Sequence, residues 1–402
     1  MIAILQKLFF RKFTIRIFVL WGIFLIACKE ETSTDPPPVN EPPTSTNPVT
    51  VIGDITVETL ASGFNIPWGI EVIGEEEFLF TDRVGFLYHY LEGTTSQIED
   101  VPASSTFTTS VGLLMAGLMD VSLHPEYENN GLVYIAHVTL DNRLTVSRFT
   151  IADGQATDAQ TIFKANGISV GSRICWQDTD HFFLSVGVGG DPFPILGPQN
   201  LGDDRGKIHR LTSDGQIPED NPVFENQLAP TSIWSYGHRN PQGMYFDGAS
   251  QTLYANEHGP FGGDELNQVA KGENYGWPLF SHGLNYDGSS VSTMREADAA
   301  EISVLPIKYW DHFARVSPSG LLLLEGSQFV NWNGSFLMGS LYPQNLLRYD
   351  PETDVTELVL AQIGRVRDVA QLPSGNLIIL VDAGSPSALD RGRLLKLSPV
   401  EN

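Results

Sequence analysis

Cysteine and positive charge are both scarce in this sequence. Only two cysteines occur among 402 residues, Cys28 in an N-terminal leader and Cys175 in an apolar stretch, so no internal disulfide is expected in the mature protein. Lysine and arginine number 24 against 48 aspartates and glutamates, and the formal net charge at pH 7 is −24. Nucleic acids and anionic membrane surfaces require basic patches, so neither is an expected partner.

Helical periodicity is also scarce from about Val51 onward. What recurs is a unit made of an apolar strand, a turn with Gly, Asp or Pro, and two further strands. Six copies start roughly 50 to 75 residues apart, which is long enough for a four-stranded blade and a variable loop. The pattern predicts an all-β fold, a six-bladed β-propeller over residues 51–402. Two β-sandwiches are the alternative, but they would not explain one unit recurring along the whole chain.

The N-terminus has the pattern of a lipoprotein leader. Basic residues precede a short apolar run, Ile17 to Ala27, which is too short for a comfortable membrane span. The order Leu-Ile-Ala-Cys ending at Cys28 resembles a bacterial lipobox, so residues 1–28 are predicted to be a signal peptide and Cys28 to be lipidated. A chance cysteine is the alternative. Residues 29–50 are rich in Pro, Thr and Glu and are predicted to form a flexible tether. The expected location is the bacterial cell envelope, at the periplasmic or outer-membrane face.

The densest group of functional residue types lies between Ile233 and Pro278. Its segments read IWSYGHRNPQGMYF, EHGPFGGDELNQ and GENYGWP. Glycines permit close approach of a ligand to the backbone, and acidic and amide oxygens suit a hard cation such as calcium. The guanidinium of Arg239 suits a planar anionic group. The segment therefore predicts a site for an anionic, oxygen-rich cofactor beside a metal.

With these segments and the blade pattern, the chain resembles the soluble, calcium- and PQQ-dependent aldose sugar dehydrogenases, also called the glucose/sorbosone dehydrogenase family. The resemblance runs from about Ile55 to Pro399. It implies that the propeller mouth binds pyrroloquinoline quinone (PQQ), a planar tricarboxylate, over a calcium ion. It also implies oxidation of aldose sugars at C1 to lactones, with a histidine taking the proton of the C1 hydroxyl. An aldose and an envelope electron acceptor are the implied partners.

The resemblance assigns roles to individual residues. Its cofactor-binding positions correspond here to Arg239, Asn240, Arg365 and Arg367. Two arginines one residue apart on a strand point the same way, so Arg365 and Arg367 can reach one ligand; a surface salt bridge is the alternative. The backbone carbonyls of Gly259 and Pro260 would meet the calcium at the quinone. Asp264, Glu265 and Tyr275 lie where the family places a second, structural calcium, and a solvated acidic loop is the alternative for the two carboxylates.

The chain also departs from the family pattern. The segment that carries the family's catalytic histidine, His-x-Gly-x-Arg, reads here Ser169-Val170-Gly171-Ser172-Arg173. A serine hydroxyl cannot act as a general base near neutral pH because its own pKa is far too high. Val188, Met115 and Tyr342 replace polar or basic family residues near the mouth. His312, beside the unusual extra cation Arg315, is a speculative substitute for the missing histidine; His181 and His238 are weaker candidates.

Three functions remain open on this sequence. The first is a PQQ- and calcium-dependent sugar dehydrogenase of the cell envelope with an altered catalytic base. The second is a catalytically silent propeller that binds a carbohydrate or a protein. The third, suggested by architecture alone, is a lactonase with a central calcium. The retained arginines favour the first, whereas Ser169, Val188 and Met115 favour the second.

Overall fold

A computed structural model describes residues 49–109, 114–188, 197–225, 227–383 and 392–400 of the chain. The predicted signal peptide with Cys28, and the predicted tether up to residue 48, lie outside these residues. Helices within them are short: α1 (Tyr127–Asn130), α2 (Glu296–Ala299) and the 3-10 turns Gly197–Gln199 and Val330–Trp332. None of the helices in the described ranges is long and apolar enough to cross a membrane.

The strands of the first half form two outer N-terminal strands, three blades and a small hairpin. The N-terminal strands are β1 (Val49–Ile52) and β2 (Ile55–Phe64). Blade 1 contains β3 (Pro67–Gly74), β4 (Glu77–Asp82), β5 (Phe86–Leu91) and β6 (Thr94–Ile98). The hairpin consists of β7 (Thr106–Thr108) and β8 (Leu114–Ala116). Blade 2 contains β9 (Leu118–Leu123), β10 (Leu132–Val138), β11 (Leu144–Ala152) and β12 (Gln155–Lys164). Blade 3 contains β13 (Ile174–Trp176), β14 (His181–Val186), β15 (Lys207–Thr212) and β16 (Ile233–Tyr236).

The second half of the chain forms the other three blades. Blade 4 contains β17 (Pro241–Asp247), β18 (Thr252–Glu257), β19 (Asp264–Val269) and β20 (Lys308–Trp310). Blade 5 contains β21 (Pro318–Leu323), β22 (Phe336–Ser340), β23 (Leu346–Asp350) and β24 (Val355–Leu360). Blade 6 contains β25 (Arg365–Gln371), β26 (Leu377–Asp382) and β27 (Gly392–Pro399), and the N-terminal strands complete it.

The ring of blades is closed by pairing the two ends of the propeller. Strand β2 lies antiparallel to β27, with Ile55 opposite Pro399 and Phe64 opposite Gly392. Strand β1 then pairs with the outer side of β2. Because the closing blade is built from both ends of the chain, separation of the ends would expose the apolar faces of β2 and β27.

Each blade buries both of its faces against its neighbours. On β4, Phe78 and Phe80 pack with strands of blade 6, whereas Leu79 between them packs with blade 2. On β26, Ile378 packs with blade 1 and Ile379 with blade 5. Burial on both faces explains why these strands are continuous apolar runs rather than alternating ones.

The prediction of a six-bladed β-propeller is confirmed. All six repeats fall on blades 1 to 6 in order. One boundary differs from the expectation: β1 begins at Val49, so the last two residues assigned to the tether belong to a strand. The first strands of the blades, β3, β9, β13, β17, β21 and β25, contact one another around the central axis. Their N-terminal ends, and the loops after the second strands, surround one mouth of the propeller.

Candidate functional site

A cavity of 380 Å³ occupies this mouth. Among the described residues its wall is formed by blades 1, 3, 4, 5 and 6 and by the β7–β8 hairpin, since antiparallel blades place the start of their first strand and the end of their second strand at the same side. Arg239 and Asn240 come just before β17, Gly259 and Pro260 just after β18, and Arg365 and Arg367 from the start of β25. The structure thus brings together the four predicted cofactor-binding residues and the two predicted carbonyl ligands.

Arg83 also lines the cavity and was not among the predicted residues. Its guanidinium carbon lies 3.9 Å from the centre of the Trp68 ring, and that of Arg367 lies 4.7 Å from the same ring. Arg83 follows β4 directly, in the sequence Thr-Asp-Arg-Val-Gly, so a basic residue at the mouth-facing end of a second strand was the available signal. Four arginines therefore converge on one cavity.

Electrostatics in the cavity favour an anionic ligand. Burial, together with the nearby charge of Arg367, lowers the pKa of Arg83. Burial likewise lowers the pKa of Arg239 and that of Arg367. Arg367 forms an ion pair with Asp382, but no Asp or Glu belongs to the described residues that line the cavity. A ligand carrying several negative charges would relieve this mutual repulsion.

Polar atoms of the wall are left without partners. Among the described residues, Arg83 Nε, Arg365 Nε and Trp68 Nε1 are buried donors without an acceptor, and Asn240 Oδ1 and Gln242 Oε1 are buried acceptors without a donor. Buried unpaired groups of this kind are costly and rare in folded proteins. The carboxylates and ring carbonyls of PQQ can accept from the unpaired donors, and its ring N–H can donate to an unpaired amide oxygen, so the residues present fit PQQ.

The loop after β18 is shaped to present its backbone to this cavity. A Cβ on Gly259 would lie 2.0 Å from the carbonyl oxygen of Gly262, so only glycine fits there. Asp264 holds the loop: Oδ1 accepts the N–H of Gly259 at 3.0 Å, and Oδ2 accepts those of Val316 and Ser317 at 2.9 Å. Both oxygens thus accept backbone donors, and Asp264 holds the loop in place; its predicted role as a metal ligand stays a prediction.

Glu265 lies beside a second carboxylate, Glu257, which was not among the predicted metal residues. It lies opposite Glu257 on the neighbouring strand, and both line a cavity of 10 Å³ that also borders on Tyr275. The Tyr275 hydroxyl donates to Gln268 O at 2.7 Å and accepts the N–H of Ala270 at 2.8 Å, so it is already paired. A space of about one water molecule between two carboxylates suits a cation. No group of three or more His, Cys, Asp or Glu side chains in the described part of the chain is placed to hold a metal, so backbone oxygens would have to complete such a site.

Ser169 is fully buried, and its hydroxyl is satisfied within its own turn. Oγ donates to the carbonyl oxygen of Gly171 at 2.6 Å. Its neighbour Val170 lines the cavity. The turn packs on Asn240, one of the predicted cofactor-binding residues, because a Cβ on Gly171 would lie 2.8 Å from Asn240 Oδ1. The segment from Ser169 to Arg173 therefore lies beside the cavity, as predicted, and the Ser169 hydroxyl in it is hydrogen-bonded to its own turn.

The histidines considered as substitutes lie elsewhere. The His312 ring packs on Phe313 with 3.9 Å between ring centres, and it is not one of the described residues lining the cavity. His238 is buried between Ser235 and Glu257, 2.9 Å from each, and stacks on Tyr275. His181 pairs with Asp178. Sequence reasoning missed His258, which does line the cavity and whose Nε2 lies 2.7 Å from Pro318 O.

The three residues predicted to stand at polar or basic family positions all line the cavity: Met115, Val188 and Tyr342. The N–H of Val188 donates to the carbonyl of Arg239 at 2.7 Å.

Below the cavity, Arg173 ties the inner strands together at the axis. Its Nη1 lies 2.9 Å from Asp120 and 2.8 Å from Asp368, and its Nη2 donates to the carbonyl of Arg367 at 2.7 Å. Nε donates to the carbonyl of Gln242 at 2.7 Å. This arginine belongs to the motif that carries Ser169, and its role is to fix the strands on which the cavity residues sit.

Comparison with known proteins agrees with the fold and the site. A model of the glucose/sorbosone dehydrogenase family matches residues 64–391. The chain belongs to this family. The resemblance inferred from the sequence motifs is thereby confirmed.

Individual family members match over most of their length. The aldose sugar dehydrogenase YliI of Escherichia coli (strain K12) is 31% identical over 363 residues, 86% of this chain and 93% of that protein. The crystal structure of the soluble aldose sugar dehydrogenase from Escherichia coli in its apo form superimposes with a TM-score of 0.74 at 29% identity, covering 86% of this chain and 99% of that one. The PQQ-bound aldose sugar dehydrogenase from Streptomyces coelicolor gives 0.67 at 25% identity, covering 89% and 99%.

Proposed function

We propose that this glucose/sorbosone dehydrogenase family member oxidises aldose sugars at C1 to lactones, using PQQ and calcium. The observation that carries the proposal is the mouth cavity, in which Arg83, Arg239, Arg365 and Arg367 converge without a carboxylate among the described lining residues. The PQQ-bound relative from Streptomyces coelicolor supports the choice of cofactor.

The chain's own residues would hold and orient the cofactor. Arg365 and Arg83 have free Nε donors for its carboxylates, and Asn240 has a free oxygen for a ring N–H or a bridging water. When bound, PQQ supplies a quinone that accepts two electrons and two protons as the C1–H and O1–H bonds of the sugar break. The backbone of Gly259 and Pro260 supplies neutral oxygens for a calcium whose anionic ligands would have to come from the cofactor.

A second calcium is proposed at the 10 Å³ cavity beside Glu257 and Glu265. Glu257 also accepts the backbone N–H of Arg239 at 2.6 Å. A cation there would therefore fix Arg239 through one shared carboxylate, and its role would be structural rather than chemical.

The proton of the C1 hydroxyl requires an acceptor other than the family's histidine. Ser169 stands at that position, and its hydroxyl is bound to Gly171. We therefore propose turnover with an altered base. The same observation favours the second candidate, a catalytically silent propeller that binds a carbohydrate or protein ligand in the mouth.

One assay separates the two candidates. The purified protein is reconstituted with PQQ and calcium, cofactor binding is followed by absorbance, and dye reduction is measured over a panel of aldoses. Binding together with sugar-dependent dye reduction supports the dehydrogenase. Binding without reduction supports the silent propeller, and absence of binding rules out both the cofactor site and the proposed activity.

We further propose that the protein is lipid-anchored in the bacterial cell envelope through Cys28 and passes its electrons to an acceptor there. The proposal depends on the leader pattern ending at Cys28. Mass spectrometry of the mature N-terminus should show a lipidated cysteine, and Cys28→Ser should move the protein from the membrane fraction to the soluble fraction. An unmodified Cys28 in the mature protein would contradict the anchor.

A further inference from the structure

Arg315 is a cation at the rim of the mouth and has no anionic partner in the part of the chain that the structure describes. It lies in the loop between β20 and β21. Its guanidinium carbon is 4.2 Å from the centre of the Phe261 ring and 4.7 Å from that of the Tyr342 ring. Within the described residues its side chain forms no salt bridge and no hydrogen bond. Its N–H donors are therefore available to a ligand.

The two rings place this guanidinium beside the cavity. Tyr342 lines the cavity directly, and Phe261 follows Pro260, which also lines it. Phe261 in turn contacts the ring of Tyr286, another lining residue, with 6.5 Å between ring centres. Arg315 thus stands at the rim, one layer outside the four arginines assigned to the cofactor.

The nearest acidic residue of the same loop does not neutralise Arg315. Asp311 Oδ1 accepts the backbone N–H groups of Phe313 at 2.8 Å and Ala314 at 3.1 Å. A guanidinium stacked between two rings keeps its planar edge free for bidentate binding of a carboxylate or phosphate. On a protein of net charge −24, an unpaired and immobilised cation at the mouth is a feature that selects anions.

The rim also presents flat apolar surface. Tyr286 is 77% exposed, Phe313 86% and Tyr342 54%. Large aromatic rings exposed together mark a binding surface. A sugar ring can cover such rings with its C–H face while its polar groups point elsewhere.

We propose that the preferred substrates are aldoses bearing an anionic group remote from C1, which Arg315 binds while C1 enters the cavity. This inference deepens the proposed sugar dehydrogenase function and depends on it for turnover. A hexuronic acid and a sugar phosphate share the required chemistry. Arg315 is then a specificity-determining residue that contacts the end of the substrate opposite to the reacting carbon.

The test compares acidic and neutral sugars in both turnover and binding. The ratio of kcat/KM for D-glucuronate to that for D-glucose is measured on the PQQ- and calcium-loaded protein, with D-glucose 6-phosphate as a separate arm. Arg315→Gln is compared with Arg295→Gln, which removes an exposed arginine paired with Asp298. Calorimetric titration with D-glucuronate provides a readout that needs no turnover.

We expect the ratio to favour the acidic sugar in the wild type and in Arg295→Gln. In Arg315→Gln it should fall about 10- to 100-fold, the range for loss of a charge-assisted contact. The wild-type preference should weaken at high salt. A higher kcat/KM for D-glucose 6-phosphate than for D-glucuronate, lost in Arg315→Gln, would identify a phosphate as the preferred anionic group.

Two results would overturn the inference: wild-type preference for neutral sugars, or equal losses for acidic and neutral sugars in Arg315→Gln. A loss of PQQ affinity in that variant would assign Arg315 to the cofactor instead. If no sugar is oxidised, the proposed dehydrogenase function fails, yet glucuronate binding that depends on Arg315 would still support the rim site. If glucuronate does not bind, or binds independently of Arg315, the proposed rim site is wrong.

Discussion

Glu257 and Glu265 face each other as direct partners across β18 and β19. The Asn267 amide donates to both, at 3.0 Å to Glu257 and 3.2 Å to Glu265. Like charges opposite each other on neighbouring strands are destabilising, and more so when water is excluded. Glu257 also contacts the His238 ring and accepts the backbone N–H of Arg239. Glu265, in contrast, has only the Asn267 amide as a donor among the described residues. The under-paired Glu265 beside a second carboxylate therefore indicates a place for a cation beside Arg239.

Replacing Glu265 tests this cation site. Calcium should raise the melting temperature of the wild type by several degrees because it binds only the folded state. In Glu265→Gln the increase should be much smaller, and without calcium this variant should be more stable than the wild type, since one buried charge is gone. Differential scanning calorimetry with calcium or with chelator measures both effects, and Glu301→Gln, at an exposed position, is the matched control. An equal calcium effect in all three proteins would contradict the site.

Asp264→Asn separates loop positioning from metal binding. Both carboxylate oxygens of Asp264 accept backbone N–H groups, so the variant should lose about 3 kcal/mol of stability. The loss should be the same with calcium and with chelator, and PQQ should bind more weakly because Gly259 is no longer held. The control Asp153→Asn, at an exposed turn, should change neither the stability nor the affinity for PQQ. A stability loss seen only in the presence of calcium would make Asp264 a metal ligand instead.

The sequence predicts the blades well because each repeat carries buried strands whose apolar runs are visible without a structure. It does less well at the blade edges. The outermost strand β12 is mostly exposed and reads as a polar segment, so nothing in its composition marks it as a strand. Closure of the ring by β2 and β27 depends on residues at opposite ends of the chain, which a search for local repeats does not pair.

The site was predictable where residues adjoin in sequence. Arg239, Asn240, Gly259 and Pro260 lie within one segment, and the two arginines of β25 are one residue apart. Arg83 was not predicted because it is far from Arg367 in the sequence. Closure of the ring of blades brings both guanidinium groups onto the Trp68 ring. The pairing of Glu265 with Glu257 rather than with Asp264 depends on the register of β18 and β19, which fixes which carboxylates face each other.

Glu71 should make stability depend on pH. Burial, with the charge of Asp120, raises the pKa of Glu71 from 4.5 to about 8. The folded protein therefore binds this proton more tightly than the unfolded chain. The resulting stability is complete below about pH 4.5 and is lost as the pH rises through 8.

Glu71→Gln keeps the neutral form at every pH, so its melting temperature relative to the wild type should rise between pH 5 and pH 9. One pKa unit corresponds to about 1.4 kcal/mol, so a gain of several degrees is expected at the upper end. Thermal unfolding at both pH values measures it, with the exposed Glu99→Gln as control. A difference that is constant with pH would show that Glu71 does not titrate in this range.

Ser169→His should supply a proton acceptor at the position where the resemblance inferred from the sequence places the catalytic histidine. A positioned base contributes about 10²- to 10⁴-fold, so kcat should rise at least tenfold and acquire an acidic limb near the pKa of histidine, about 6.5. Ser169→Asn introduces a side chain similar in size to histidine but without a basic group, so its kcat should not rise. His312→Ala should retain wild-type kcat because its ring packs on Phe313 outside the cavity wall. Equal kcat values in Ser169→His and Ser169→Asn would mean that a base at this position is not sufficient, and that other residues of the cavity wall also prevent turnover.

An absorbance titration of the purified, calcium-loaded protein with PQQ tests the cofactor site most directly. We expect saturable binding of one PQQ per chain. In Arg365→Gln we expect at least tenfold weaker binding, because one buried charge-assisted contact is lost, and in Arg295→Gln unchanged binding. Absence of saturable binding in the wild type, or equal affinity in Arg365→Gln, would contradict the assignment of the mouth as the cofactor site.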